Sequence, residues 1–211
     1  MGEYEGQSAP ARQRLSPERR RNQLIQVAYR ILTEDGPEGM QISEVASRAG
    51  VSRPLVYRFF GNRTELLVAV LDDFERSLSE RFQALVESDD LPYDPRESAS
   101  KFVHACCDLI DERGGGVWDL LMSRSTERDV VQFAQEVLER IMAPWLDLLA
   151  AFCTQSQVPP KIIADMLVGA GDVALHHWVH GRIPREVAVD ACVSAISGIL
   201  ISFASAPDAE I

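Results

Sequence analysis

The stretch from Gln41 to Leu66, QISEVASRAGVSRPLVYRFFGNRTEL, leaves the chain few structural choices. Apolar residues at Ile42, Val45, Ala46 and Ala49 recur at a helical spacing. Gly50 follows directly, and a glycine just past a helix end takes the left-handed conformation at little steric cost. Ser52 is a good N-cap for a second helix, and Pro54 falls in its first turn, where a missing N–H does little harm. Val56 and Phe60 stand four apart and face inward together. Ala46 is small enough to let the second helix cross close over the first. The segment reads as a helix-turn-helix running straight into a third helix, the shape of a DNA reader.

The run AGVSRPLVYRFFGNRTELL resembles the signature of the TetR family of bacterial transcriptional regulators, with Ala49, Gly50, Val51, Ser52, Tyr57, Phe60, Leu66 and Leu67 as the matching positions. Four positions depart from it. Phe59 stands where the family commonly has a phosphate-touching His, Arg63 replaces a Lys and gains a bidentate fork, Gln41 replaces a capping Thr, and Pro54 replaces a frequent Gly. The resemblance implies that Ser52 to Phe59 is the recognition helix, lying in the major groove with Ser52, Arg53, Pro54, Leu55 and Arg58 outward. It makes Arg53 the first choice for a guanine edge and Leu55 a partner for a thymine methyl. Tyr57 and Arg63, with Ser52 and the amide of Gln41, become phosphate contacts that set register. Solvated surface arginines and a half-buried packing tyrosine are the plainer readings of Arg53, Arg58 and Tyr57.

A net charge of −11 is an unexpected balance for a DNA binder, but it is unevenly spread over the 211 residues. Residues 1–66 carry ten arginines against eight acids, a balance of +2, and residues 67–211 carry the remaining −13. The positive end steers approach to DNA while the acidic body discourages non-specific contact, and both effects weaken with salt. No apolar run precedes Leu24, so no signal peptide is read, and no stretch approaches the roughly 20 apolar residues of a membrane helix. A cytoplasmic protein is expected. Its cysteines, Cys106, Cys107, Cys153 and Cys192, lack zinc spacing and read as reduced core residues, with a thiol redox sensor as the alternative.

Periodicity along the chain predicts an all-α fold of about nine helices. Residues 1–15 read as a disordered arm, 16–64 as a three-helix DNA-binding domain, and 65–211 as a helical ligand-binding and dimerisation domain. Ser16, Pro17 and Glu18 start helix one, whose stripe of Leu24, Val27, Ala28, Ile31 and Leu32 ends near Gly36-Pro37. Helix four runs from about Asn62 through Leu85, and SDDLPYDP (88–95) is a loop. Further helices are predicted over 96–112, 117–123 after the Gly114-Gly115-Gly116 break, 129–155 with a kink or break at Pro144, 161–180 and 185–203.

The last of these is apolar almost all round, as a helix buried on more than one side must be. Gly169, Gly171 and Gly198 allow close helix approach. In the TetR family the final two helices pair with their copies, so the resemblance implies a homodimer on a two-fold, double-stranded DNA operator. It also implies a cavity among the middle helices for a small, fairly apolar effector. The candidate lining is Phe102, Cys106, Trp118, Met122, Phe133, Trp145 and Trp178, each of which could equally be plain core.

Asp172, His176 and His180 lie at successive i+4 positions, a spacing that can bind zinc or serve as a polar stripe at a seam. No cofactor is expected. The chain holds no recognisable nucleophile–base pair and no Gly-rich phosphate loop, so an enzyme is not expected. The leading expectation is a ligand-released repressor. The alternative is an activator, or a regulator controlled by a protein partner.

Overall fold

The computed structural model describes residues 15–87, 94–122, 124, 126–154 and 156–204. All but the last residue of the arm expected over 1–15 and most of the loop expected over 88–95 therefore lie outside the described residues. Among the described residues the chain forms nine helices and no strand: α1 (Pro17–Gly39), α2 (Ile42–Ala49), α3 (Arg53–Phe59), α4 (Arg63–Glu87), α5 (Pro95–Arg113), α6 (Gly116–Leu121), α7 (Arg128–Phe152), α8 (Pro160–Val179) and α9 (Arg185–Phe203).

Local chemistry sets most of the boundaries. The Ser16 hydroxyl accepts from the Arg19 N–H at 3.2 Å at the start of α1. Gly36, at φ 68, ends its regular turns, and Pro37–Gly39 add a further short turn. Gly50, at φ 64 and ψ 38, closes α2 in the left-handed conformation the turn requires, and the Val51 N–H returns to the Ala46 carbonyl at 3.0 Å. Ser52 does occupy the N-cap of α3, but its side chain makes no capping bond there, and neither does Gln41 ahead of α2. The start of α4 is firmer. Asn62 Oδ1 accepts from the Glu65 N–H at 2.8 Å while Glu65 accepts from the Gly61 N–H at 2.9 Å, a reciprocal cap of the capping-box kind. At Pro144, where a kink or break was expected, α7 continues helical on both sides.

A single main core spans the molecule. It runs from Leu24, Val45 and Val56 in the first three helices, through Leu67 and Phe74 of α4, to Val117, Val137 and Cys192 in the later ones. Head and body are thus packed as one mass. Their joint contains a buried polar cluster: the Tyr29 hydroxyl of α1 lies 3.1 Å from both the Val70 carbonyl and the Asp73 carboxylate of α4. Arg113 of α5 closes the cluster, 3.5 Å from Asp73 and with its guanidinium over the Tyr29 ring. Burial and the neighbouring carboxylate push the Tyr29 phenol well above its ordinary pKa, so it stays a neutral donor.

The glycine triplet is more than a break. A Cβ on Gly116 would fall onto the Leu32 carbonyl of α1, so the backbones of α6 and α1 meet directly there. By length and composition α9, with a mean hydropathy of 1.7, could cross a membrane, closer to that limit than the sequence reading allowed. Here it packs against α8 and α5.

Candidate nucleic-acid interface and effector cavity

The turn at Gly50 aims α3 outward. Val56 and Phe60 are its anchors, fully buried or nearly so. The rest of its surface faces solvent: Ser52, Arg53, Pro54, Tyr57 and Arg58 are exposed, Leu55 is half-buried, and Gln41 is exposed nearby. Tyr57 retains 52 % of its surface, too much for a packing tyrosine. Arg53 makes no ion pair among the described residues, whereas Arg58 lies over the Phe59 ring at 5.5 Å. Phe59 itself packs on the core, which accounts for an aromatic residue where a polar one was expected. Arg21 of α1 lies over the Phe60 ring at 5.5 Å and adds a cation beside the same surface.

Two arginines near this surface are committed elsewhere. Arg48 is tied to Glu34, to Asp35 at 2.7 Å and to Glu44 at 2.6 Å. Arg63, expected to reach a phosphate, turns inward instead. Its guanidinium donates to the carbonyls of Pro37 and Met40 and pairs with Glu127, leaving 18 % of the side chain exposed. Burial pulls its pKa below the ordinary arginine value. The Pro37 carbonyl, which also accepts from the Met40 N–H at 3.2 Å, and the Met40 carbonyl converge on Arg63, so it clasps the end of α1 to the segment before α7. Thr64 to Glu127, at 3.2 Å, and Thr126 to Glu38, at 2.7 Å, reinforce that junction. Sequence reasoning missed this clasp, because nothing local links Arg63 to residue 127.

Behind the head, α4 to α9 surround a cavity of about 480 Å³. Phe82, Phe102 and Trp145 form its aromatic wall, edge to face at centroid distances of 5.3, 5.7 and 4.5 Å. Of the candidate lining residues, Phe102, Cys106, Trp118 and Trp145 line it, and no lining side chain is charged. Met122, Phe133 and Trp178 do not line it, correcting the expectation for those three. On α7 the lining begins only at Leu138, and on α8 it ends at Leu175. Phe133 sits before that stretch under the Arg140 guanidinium, and Trp178 lies a turn beyond it. All four cysteines are free and buried. Burial pushes the thiols up, that of Cys192 to about 11 and that of Cys107 to about 12, so they are neutral at pH 7.

On the outer side of α8 and α9, apolar residues stand bare. Val173 is 63 % and Ile201 60 % exposed, with Ile162, Met166 and Val187 exposed beside them. Exposed small residues, Gly169, Ala191, Ala195 and Gly198, lie between. A Cβ on Gly169 or Gly198 would meet nothing within 4 Å, so neither glycine serves a contact inside the chain.

The polar column on α8 also differs from expectation. Asp172 does not join the histidines. It is held by Arg124 at 2.7 Å and by the Trp118 indole N–H at 3.1 Å. Asp119 of α6 takes its place, 3.0 Å from His176 Nδ1 and 3.2 Å from His180 Nε2.

Residues 24–70 match the family model described as bacterial regulatory proteins, tetR family. The chain is 26 % identical over 184 residues to the HTH-type transcriptional activator FasR of Mycolicibacterium smegmatis, covering 85 % of this chain and 82 % of that one. Among solved structures it resembles the fatty acid degradation regulator FadR of Bacillus halodurans, with a TM-score of 0.72 at 18 % identity over 88 % of this chain and 97 % of the other. It also resembles FadR of Bacillus subtilis in complex with stearoyl-CoA, with a TM-score of 0.70 at 17 % identity over 84 % and 98 %. At such identities the structural likeness concerns the fold.

Proposed function

Because this chain belongs to the TetR family of DNA-binding transcriptional regulators, we propose that it is a cytoplasmic homodimeric repressor released from its operator by a small, fairly apolar ligand. The observation that carries this reading is the outward face of α3, where Arg53 is exposed and unpaired among the described residues while Val56 and Phe60 anchor the helix from below. In the major groove Arg53 takes a guanine edge and Leu55 a thymine methyl. Ser52, Tyr57 and Gln41 touch phosphates, and Pro54 and Arg58 flank them. Arg63 has no place in that list; it positions the head.

The bare apolar strip of α8 and α9 supports pairing with a second copy, since exposed apolar patches of this kind mark interaction surfaces. A two-fold dimer gives the half-site spacing that a symmetric operator needs. The ligand class follows from the cavity. Its size falls in the range of small-molecule sites, and its uncharged wall suits an alkyl or aromatic body rather than an ion. The stearoyl-CoA of the Bacillus subtilis neighbour carries such an alkyl chain. Release needs only that ligand favour the state in which the two heads are misplaced for DNA. An activator is the second reading, favoured by the activator FasR among the relatives.

The test is Arg53→Ala against a panel of operator variants. The substitution relaxes preference at one base pair and costs about 1–3 kcal/mol. An unchanged binding profile removes Arg53 from base recognition.

A further inference from the structure

We propose that Asp119, His176 and His180 form a binding site for a zinc-class transition-metal ion, joining α6 to α8. His176 in the last turn of α8 and His180 at its C-cap are four residues apart, the i,i+4 arrangement that aims two imidazoles at one point. Their rings lie 4.3 Å apart, and Asp119 approaches both from α6, so that one donor atom from each residue lies within 4.8 Å of the other two. A tetrahedral zinc ion with bonds of about 2.0–2.2 Å places its ligands roughly 3.3 Å apart. The two imidazole–carboxylate distances, 3.0 and 3.2 Å, are already close to that spacing.

Hydrogen bonding at His180 points the same way. Its Nδ1 lies 2.9 Å from the His176 carbonyl, which can only accept, so Nδ1 carries a proton. Its Nε2 faces Asp119 Oδ2 at 3.2 Å, and a carboxylate oxygen can only accept as well. A neutral imidazole would then set one lone pair against another. A metal ion held between the two would relieve that opposition. A backbone carbonyl that fixes the far nitrogen is the usual support for a metal-binding histidine. Arg124 divides the two nearby acids. It holds Asp172 at 2.7 Å and touches only Oδ1 of Asp119, at 3.3 Å, the oxygen that also faces His176, leaving Oδ2 to His180. His180 is exposed, which admits the ion and a water as fourth ligand. Since α6 meets α1 through Gly116, a metal here would brace the joint between body and reading head.

The experiment uses tag-free, full-length protein, stripped with a chelator and titrated with Co²⁺ as a visible probe, then with Zn²⁺. The expected result is one Co²⁺ per chain with ligand-field absorption, displaced by Zn²⁺, and a higher unfolding temperature with Zn²⁺. Asp119→Asn and His180→Ala each weaken binding at least about 10-fold and abolish the thermal shift, while His177→Ala changes neither. The half-buried or exposed positions of these groups keep the variants folded, and circular dichroism checks it. Wild-type protein without Co²⁺ absorption, a His180→Ala variant that binds as the wild type does, or loss of binding in His177→Ala overturns the proposal; the first result leaves protonated His180 as the occupant. No DNA enters the measurement, so its outcome is separate from that of the regulator reading.

Discussion

The first three helices and the last five treat apolar and polar side chains in opposite ways. In α1 to α3 most apolar residues are packed into the core, and what remains outside on α3 is mostly polar or charged, with Arg53, Tyr57 and Arg58 exposed. In α5 to α9 apolar side chains surround an open cavity on the inside and stand uncovered on the outside of α8 and α9. A head built this way has one rigid surface suited to phosphates and base edges. A body built this way has two uncovered apolar surfaces, one lining the cavity and one on the outside of α8 and α9. The charge imbalance runs along the same division, from +2 in residues 1–66 to −13 in the rest.

The largest expected effect attacks the outer apolar face. Val173→Asp combined with Ile201→Asp places two charges where a second copy would bury them. Analytical ultracentrifugation should then find monomers, with operator affinity falling toward the non-specific level, roughly 10³-fold or more. A variant that still sediments as a dimer moves the interface elsewhere. Ile196 is not the residue for this test, although it lies on α9, because it lines the cavity.

A smaller loss is expected at the joint between the two regions. Gly116→Ala drives a methyl into the backbone at Leu32, and backbone cannot yield as a flexible side chain can. Overpacking of this kind costs about 1–3 kcal/mol, read as a lower midpoint in denaturant. Tyr29→Phe tests the same joint more gently. It removes the donor shared by Val70 and Asp73 and should cost about 1 kcal/mol. A neutral result would mean that the cluster is satisfied by Arg113 and Arg76 alone.

The smallest effect separates the regions by pH. Cys107 and Cys192 in the body, and Tyr29 at the joint, all have pKa values raised by burial. Their folded forms keep protons that the unfolded chain releases above its ordinary thiol value near 9.0. Stability is therefore unaffected by these groups below that pH and falls as pH rises above it. In parallel, the native thiols should resist alkylation at neutral pH and react only on unfolding. Rapid labelling of the folded protein contradicts the burial on which this rests.

The head was more legible in sequence than the body because its signals are local. Gly50, Ser52, Pro54 and the Val56–Phe60 pair announce a turn and a short helix within a few residues, and the structure has both. The nine helices followed from apolar spacing and breakers in the same way. What escaped was set by distant partners. Arg63 faces inward because carbonyls at 37 and 40 and a carboxylate at 127 converge on it. Asp119 displaces Asp172 beside the histidines because α6 crosses α8 there. Met122, Phe133 and Trp178 miss the cavity for a similar reason: aromatic or sulfur character marks a core residue, but which stretch of a helix faces a void depends on where the other helices cross it.

Fluorescence anisotropy of the full-length chain with duplex DNA from beside its own gene, run against a shuffled duplex over a range of salt, tests the central claim most directly. The account predicts saturable binding of two protomers to the cognate duplex, at least about 10³-fold tighter than to the shuffled one, with affinity falling linearly in log salt. Equal affinity for both duplexes, or none for either, would contradict the assignment of α3 as a reader of DNA.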